Sequence, residues 1–326
     1  MPIVLTEDDV RRVLSMPDLI AAMKAALIQF STGGAQQPLR TVLEVGSRKS
    51  FFGIMPAVLN EPAAVGTKLV TVFATNRDLG LPTHLATILL LDPSSGALLA
   101  ILDGRYITEA RTAAVSALSV DLLARPVARS LAILGSGVQA RSHLDAIGCV
   151  RPLERVSVWS PTEARRHAFV EEAQQHLKAV VVAADSARAA VADADIIVLA
   201  TASTTPVLRH EWVAPGTHIC AVGACRPTHR EMDSALVAQA RTFVDSRQGA
   251  FAEAGDIVLA IEDGSITREH VAGELGELAA GLIPGRHDDG QLTLFKSLGM
   301  AVEDVAAAHL AFLRASARGL GTDLAT

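Results

Sequence analysis

The sequence predicts an α/β protein in which a doubly wound parallel sheet follows an α+β segment. Three observations predict this. From residue 108 onward, strand-like and helix-like segments alternate. The strands there are short apolar runs without polar alternation, the pattern of strands buried on both faces. A glycine-rich turn, Gly135-Ser136-Gly137-Val138-Gln139-Ala140, stands between the first of those strands and the helix after it.

Taken in order, the first 30 residues read as helical. Thr6 and Asp9 have the spacing of a capping box. Ser15 opens a second helix with Leu19, Ile20, Met23, Leu27 and Phe30 on one face, and Gly33-Gly34 closes it. Strands are expected at 39–45, 50–55, 65–73, 84–91 and 97–102, separated by turn chemistry at 60–62 and 92–96. A helix over 110–124 stops at Arg125-Pro126. Strands at 130–134, 155–159, 179–183, 196–200, 218–222 and 242–245 follow, with helices at 138–147, 162–177 and 186–193. A loop over 284–290, a strand at 292–295 and a helix at 302–318 complete the chain.

Composition narrows the function. The chain has 326 residues, half of them apolar and 20% charged, which is a globular composition. A net charge of −6 leaves no electrostatic footprint for nucleic acid. Nine Phe, two Trp and one Tyr are few for stacking on bases. An apolar stretch such as 85–91, about seven residues, is too short to span a bilayer. Residues 1–9 are acidic and lack a signal-peptide pattern. Cys149, Cys220 and Cys225 fit neither a disulfide framework nor a zinc site, so no metal is expected. A soluble cytoplasmic protein is expected, without membrane or nucleic-acid partners. The only tyrosine, Tyr106, is followed four positions later by Ala110, so a Tyr-x-x-x-Lys dehydrogenase mechanism is ruled out.

The glycine turn carries the cofactor reading. Gly135 permits the tight turn, Gly137 lets a pyrophosphate approach the backbone, and the small Ala140 lets the helix pack against the sheet. The phosphates would sit on free N–H groups at the positive helix end. This is a Rossmann-type dinucleotide site, with a structural turn and a methyltransferase loop as alternatives. No Asp or Glu stands at 160–162 to accept from a ribose 2′-OH. Ser160 and Thr162 could donate to a 2′-phosphate, with Arg165 and Arg166 one turn into the helix. NADPH is therefore expected as the preferred cofactor and NADH as the second. The loops at Thr201-Ala202-Ser203 and Val222-Gly223-Ala224-Cys225 should flank the nicotinamide, with His229 near the cofactor.

Three cations stand in apolar contexts: Arg40, Lys68 and Arg111. Each alone could be a snorkelling or paired structural residue. Met55-Pro56, Gly66-Thr67-Lys68, Glu109-Ala-Arg-Thr-Ala-Ala114, the Gly135–Ala140 turn, Val222-Gly-Ala-Cys-Arg-Pro227 and Phe295-Lys-Ser-Leu-Gly299 occur in this order. Together they resemble the ornithine cyclodeaminase/mu-crystallin family over essentially the whole chain. The resemblance implies an N-terminal substrate-binding and dimerisation domain of residues 1–112 with 298–326, a Rossmann domain of 113–297, and a homodimer. It implies that Arg40, Lys68 and Arg111 hold a substrate carboxylate. It places Thr83, Thr112, Gly137, Val138, Gln139, Ser160, Thr201, Val222 and Ser297 around the dinucleotide. Gly135, Thr162, Arg165, Gly223, Cys225, His229 and Arg111 complete the expected cofactor contacts.

Two departures separate the family's activities. Where cyclodeaminases carry a glutamate, three residues before the proline of the Met-Pro pair, this chain has Gly53. Where they carry an aspartate after the Val-Gly-small triplet, it has Cys225. Residues 223–231 instead resemble the mu-crystallin version. The resemblance thus implies reduction of a small cyclic imino acid, Δ1-pyrroline-2-carboxylate or Δ1-piperideine-2-carboxylate. Lys68 would be the proton donor or an electrostatic partner of the ring nitrogen, with neighbouring arginines lowering its pKa. Ornithine cyclodeaminase and a non-catalytic NADPH-binding protein are the alternative readings. Reductive amination of a linear 2-oxo acid is a third.

Overall fold

The computed structural model describes residues 1–46 and 50–324. The chain forms two compact units. One comprises Met1–Arg111 and the segment from Gly299 onward; the other is Thr112–Leu298.

The first unit is built on a mixed sheet. Strands Ser50–Asn60, Ala63–Val72, His84–Leu91 and Leu98–Asp103 pair antiparallel in sequence order. Thr41–Val45 and Ala35–Gln36 both pair with Ser50–Asn60. At the other edge, Ile3–Leu5 pairs parallel with Leu98–Asp103. That corrects the expectation of an all-helical start: three residues of Pro2-Ile3-Val4-Leu5 add to a sheet edge before Thr6 can begin a helix. The Thr6/Asp9 capping box is present, and helix Glu7–Val13 follows it. Helix Met16–Ser31 buries Leu19, Met23 and Leu27 of the expected stripe together with Ala26, while Ile20 and Phe30 at its margins are only partly buried. The last helix, Ala301–Ala317, packs on this helix and on the two central strands.

The second unit holds an eight-stranded sheet in which every pairing is parallel. Its order is Val180–Ala183, Arg155–Trp159, Ser130–Leu134, Ile196–Leu199, His218–Ala221, Thr293–Lys296, Arg241–Val244 and Val271–Glu274. The first two crossovers step one way from Ser130–Leu134, and the next step the other way. The carboxyl ends of Ser130–Leu134 and Ile196–Leu199 therefore flank a topological switch point. The apolar cores above and below explain the missing alternation: Ile196–Leu199 and His218–Ala221 are buried at every position.

Residues 246–281 carried no assignment from sequence. They form helices Arg247–Glu253, Gly255–Glu262 and Leu275–Ala279 and strand Val271–Glu274. The helix expected at 110–124 begins earlier, at Arg105. Among the described residues no single helix is long and apolar enough to cross a membrane; the one pair that passes together, Glu7–Val13 with Met16–Ser31, is bent by 90°.

Candidate functional site

In the first unit the chain folds two of the singled-out cations onto two carboxylates. Lys68 lies on strand Ala63–Val72 and is 2% exposed. Its Nζ is 2.6 Å from Asp304 Oδ2 and donates to Thr108 Oγ1 at 3.4 Å. The guanidinium of Arg111, 4% exposed, donates from Nε to Asp304 Oδ1 at 2.9 Å and from Nη1 to Glu303 Oε2 at 2.7 Å. Arg40 Nη2 donates to the carbonyl of Gly299 at 3.0 Å. Lys68, a cation without an opposite charge nearby in sequence, thus gains one from the far end of the chain.

Glycines make the approach possible. Gly299 has φ +77°, and a Cβ there would lie 2.2 Å from Arg111 Nη1. The left-handed turn brings bare backbone against the Arg111 guanidinium, while its carbonyl holds Arg40. On strand Ala63–Val72, a Cβ at Gly66 would meet the Leu89 carbonyl at 2.6 Å and Val305 at 3.3 Å. Its absence lets the last helix press onto the strand two residues from Lys68. Glu303 and Asp304 occupy the first turn of that helix, where the N-terminal dipole favours carboxylates.

Burial dominates the electrostatics. It lowers the Lys68 pKa to about 8 against the attraction of Asp304, and the Arg111 and Arg40 charges add to the lowering. The direction expected from neighbouring arginines is correct, but desolvation is the larger cause. Burial works against the Asp304 carboxylate, yet Arg111 and Lys68 hold its pKa below the ordinary value. His84 is lowered to about 4, first by burial and then by the Lys68 and Arg111 charges, so it is neutral at pH 7.

The second unit carries the glycine turn. Gly135 has φ +128°, and a Cβ there would lie 2.4 Å from the Ala200 carbonyl. Only glycine fits this close passage between neighbouring strands. Gly137 is the N-cap of helix Val138–Val150, with no side-chain cap and open space where a Cβ would stand. Ala140 is fully buried. At the next strand end, Ser136 Oγ donates to Ser160 Oγ at 2.9 Å, and Arg166 Nη1 donates to the Ser160 carbonyl at 2.6 Å. Thr162 and Arg165 are exposed at the start of helix Glu163–Gln174.

The later loops lie where expected, at carboxyl strand ends. Thr201 follows Ile196–Leu199, and Val222, Gly223 and Cys225 follow His218–Ala221. The Cys225 side chain is exposed, with Sγ 3.5 Å from the Val222 carbonyl. Ser297 follows Thr293–Lys296 and is 1% exposed. His229 is half-buried and its N–H donates to the Arg226 carbonyl. Thr112 is 9% exposed. Of the expected cofactor contacts, Thr83 and Arg111 belong to the first unit and the others to the second.

These residues fit a dinucleotide. The helix start at Gly137 has bare N–H groups for phosphate, and the turn before it tolerates no side chain. Among the described residues, Ser297 Oγ just after strand Thr293–Lys296 and Gln139 Oε1 in the first turn of helix Val138–Val150 are buried without a hydrogen-bond partner, polar atoms that a bound group would satisfy.

Sequence reasoning missed Glu303 and Asp304. Their signal was local: two acids in a helix first turn directly after the Phe295–Gly299 motif. Nothing local linked them to Lys68 and Arg111.

The chain matches the ornithine cyclodeaminase/mu-crystallin family over residues 1–319. It is 42% identical to ketimine reductase mu-crystallin of Mus musculus over 297 residues, 90% of this chain and 91% of that one. Its fold superposes with a TM-score of 0.96 on Δ1-pyrroline-2-carboxylate reductase of Thermococcus litoralis, solved with NADH and L-proline; identity is 37%, covering 99% of this chain and 100% of that one. An archaeal alanine dehydrogenase dimer with bound NAD gives a TM-score of 0.94 at 32% identity, covering 99% of this chain and 99% of that one.

The buried charge cluster makes a direct prediction. Asp304→Asn leaves two buried cations short of one negative charge and should destabilise the protein by roughly 3 kcal/mol. A lowered urea midpoint checks this; an unchanged midpoint would mean that Asp304 is not their counter-ion.

Proposed function

The chain belongs to the ornithine cyclodeaminase/mu-crystallin family, and from that premise we propose that this oxidoreductase acting on C=N bonds is a ketimine reductase. Its substrate is Δ1-pyrroline-2-carboxylate or Δ1-piperideine-2-carboxylate, reduced to L-proline or L-pipecolate. The observation that carries this reading is the buried cluster in which Asp304 holds both Lys68 and Arg111, with the partly buried Arg40 beside it on the Gly299 carbonyl.

The mechanism follows from these side chains. Arg40 and Arg111 take the substrate carboxylate and thereby fix the adjacent C=N carbon. The nicotinamide cofactor, when bound, supplies hydride for that carbon. The ring nitrogen needs a proton, and the Lys68 ammonium gives it. A pKa of about 8 leaves Lys68 mostly protonated at pH 7 and ready to release the proton. Asp304 keeps the ammonium in place while the proton leaves.

Two positions speak against cyclodeamination. On strand Ser50–Asn60, a Cβ at Gly53 would lie 2.9 Å from Val70 Cγ1, so the neighbouring strand's side chain occupies the space a glutamate would enter. Cys225 supplies a thiol where an aspartate would work on an amine. Without both carboxylates, an ornithine side-chain amine has no acid–base partner at these positions.

NADPH is the preferred cofactor on this reading. No carboxylate follows strand Arg155–Trp159 in residues 160–162, and the exposed Thr162 and Arg165 stand at the start of the next helix. A homodimer is the assembly. Strand Thr41–Val45 is exposed at all five positions, with Val42 and Leu43 each 51% exposed, and Val58 and Val72 are exposed apolar residues of the same sheet.

Purified protein should oxidise NADPH with Δ1-pyrroline-2-carboxylate. Ammonia released from ornithine with NAD, without net cofactor consumption, would overturn the reductase reading in favour of the lyase. Lys68→Met should lower kcat by at least about a hundredfold. In the parent protein kcat/KM should fall above pH 8, where Lys68 loses its proton, by roughly tenfold per pH unit. Arg165→Ala should raise the KM for NADPH about fivefold, the equivalent of one modest phosphate contact, and leave that for NADH unchanged; equal effects on both would remove the 2′-phosphate role. Light scattering should give about twice 34.2 kDa, and a mass equal to one chain would exclude the dimer.

A further inference from the structure

Glu231 belongs to no part of the mechanism above, yet it is fully buried in the second unit. Strands Ile196–Leu199 and His218–Ala221 run parallel and in register, Leu199 beside Ala221, so the loops leaving them are neighbours. Both turn backbone N–H groups inward. The Glu231 carboxylate accepts from all of them. Oε1 takes Thr201 N and Thr201 Oγ1, each at 2.7 Å; Oε2 takes Gly223 N at 2.7 Å and Ala224 N at 3.2 Å. Four donors on one carboxylate satisfy groups that would otherwise be orphaned.

Glu231 is itself held. Its N–H and that of Met232 donate to Asp256 Oδ1 at 2.8 and 3.2 Å. Asp256 Oδ2 is 3.2 Å from Lys296 Nζ, and Lys296 donates back to the Ala221 carbonyl at 3.3 Å. Lys296 lies on Thr293–Lys296, the next strand of the sheet. Burial opposes the Lys296 ammonium, but Asp256, Cys225 and Glu231 hold its pKa above the ordinary value. The spacing is tight: a Cβ at Gly223 would lie 2.2 Å from the Thr201 carbonyl and 2.4 Å from Glu231 Oε1. At Gly255 a Cβ would lie 2.0 Å from the His229 carbonyl. The links join the loops leaving Ile196–Leu199 and His218–Ala221, the end of the next strand at Lys296, and the start of helix Gly255–Glu262.

We propose that Glu231 is a positioning residue for the nicotinamide half of the dinucleotide: its carboxylate sets the gap between the Thr201 and Gly223 loops that receive the ring. This rests on the nicotinamide-cofactor reading above. The adenosine-phosphate half has separate supports, the Gly135–Ala140 turn and Ser160, and none of the hydrogen bonds of Glu231 reaches them.

The two halves can be weighed separately. Glu231→Gln puts an amide N–H₂ in place of one acceptor oxygen and sets donors against donors at one loop. Titration calorimetry of the full chain with NADPH should show a Kd raised about tenfold, the loss of one good hydrogen bond. Titration with 2′-phospho-ADP-ribose, which lacks the nicotinamide, should give a Kd within about twofold of the parent protein. Equal weakening of both ligands, or of neither, overturns the proposal. Should Glu231→Gln not fold, Glu231→Asp carries the same comparison: it keeps the charge but is one methylene too short to reach both loops, and it should weaken NADPH alone. Failure of the parent protein to bind NADPH would instead overturn the cofactor reading, and the proposal with it.

Discussion

The first unit depends on one buried carboxylate. Asp304 meets the Lys68 ammonium on one oxygen and the Arg111 guanidinium on the other, with no exposed surface of its own. Cations removed from water are expensive unless paired, so Lys68 depends on this partner, and Arg111 on it together with Glu303. The arrangement forces local backbone choices. Gly66 must lack a side chain so that the last helix can come down on the strand, and Gly299 must turn left-handed so that its backbone fits against Arg111. The helix N-terminus completes the balance by favouring the two acids placed in its first turn.

The second unit solves a different problem by different means. Its strands are buried on both faces and supply no chemistry of their own. Their carboxyl ends carry loops in which backbone N–H groups gather. Gly135 and Gly137 leave them bare at one place. Glu231 gathers them at another, and the Asp256–Lys296 pair anchors Glu231 from behind. In one unit charges hold charges. In the other a charge holds backbone dipoles. Relatives on this scaffold are named for more than one reaction, and on the proposed reading the distinction rests on Gly53 and Cys225.

Much of the fold was legible because periodicity and turn chemistry act locally. The Thr6 cap, the strands at 130–134 and 155–159 and the centre of the stripe of helix Met16–Ser31 (Leu19, Met23 and Leu27) stand as read. The segment at 246–281 was illegible because its helices are five to eight residues long, too short for a repeating face to show. The opening strand Ile3–Leu5 was misread because three residues make a strand only when an edge awaits them. Arg40, Lys68 and Arg111 were visible as cations in apolar runs. The partners of Lys68 and Arg111 were not, since Arg111 and Asp304 are 193 residues apart.

By itself the sequence determined which residues could act. It set the glycines where no side chain is tolerated, the absence of an acid at 160–162, the lone tyrosine away from any Tyr-x-x-x-Lys pair, and the few cations among apolar neighbours. Only the tertiary structure decided which of them meet. It inserted strand Thr293–Lys296 between two earlier strands, and so brought Lys296 to Asp256. It returned the last helix to the first unit, and so brought Asp304 to Lys68. The reason is physical: caps and turns are settled by neighbours in sequence, whereas the pairing of buried charges is settled by whatever the packed chain brings within about 3 Å.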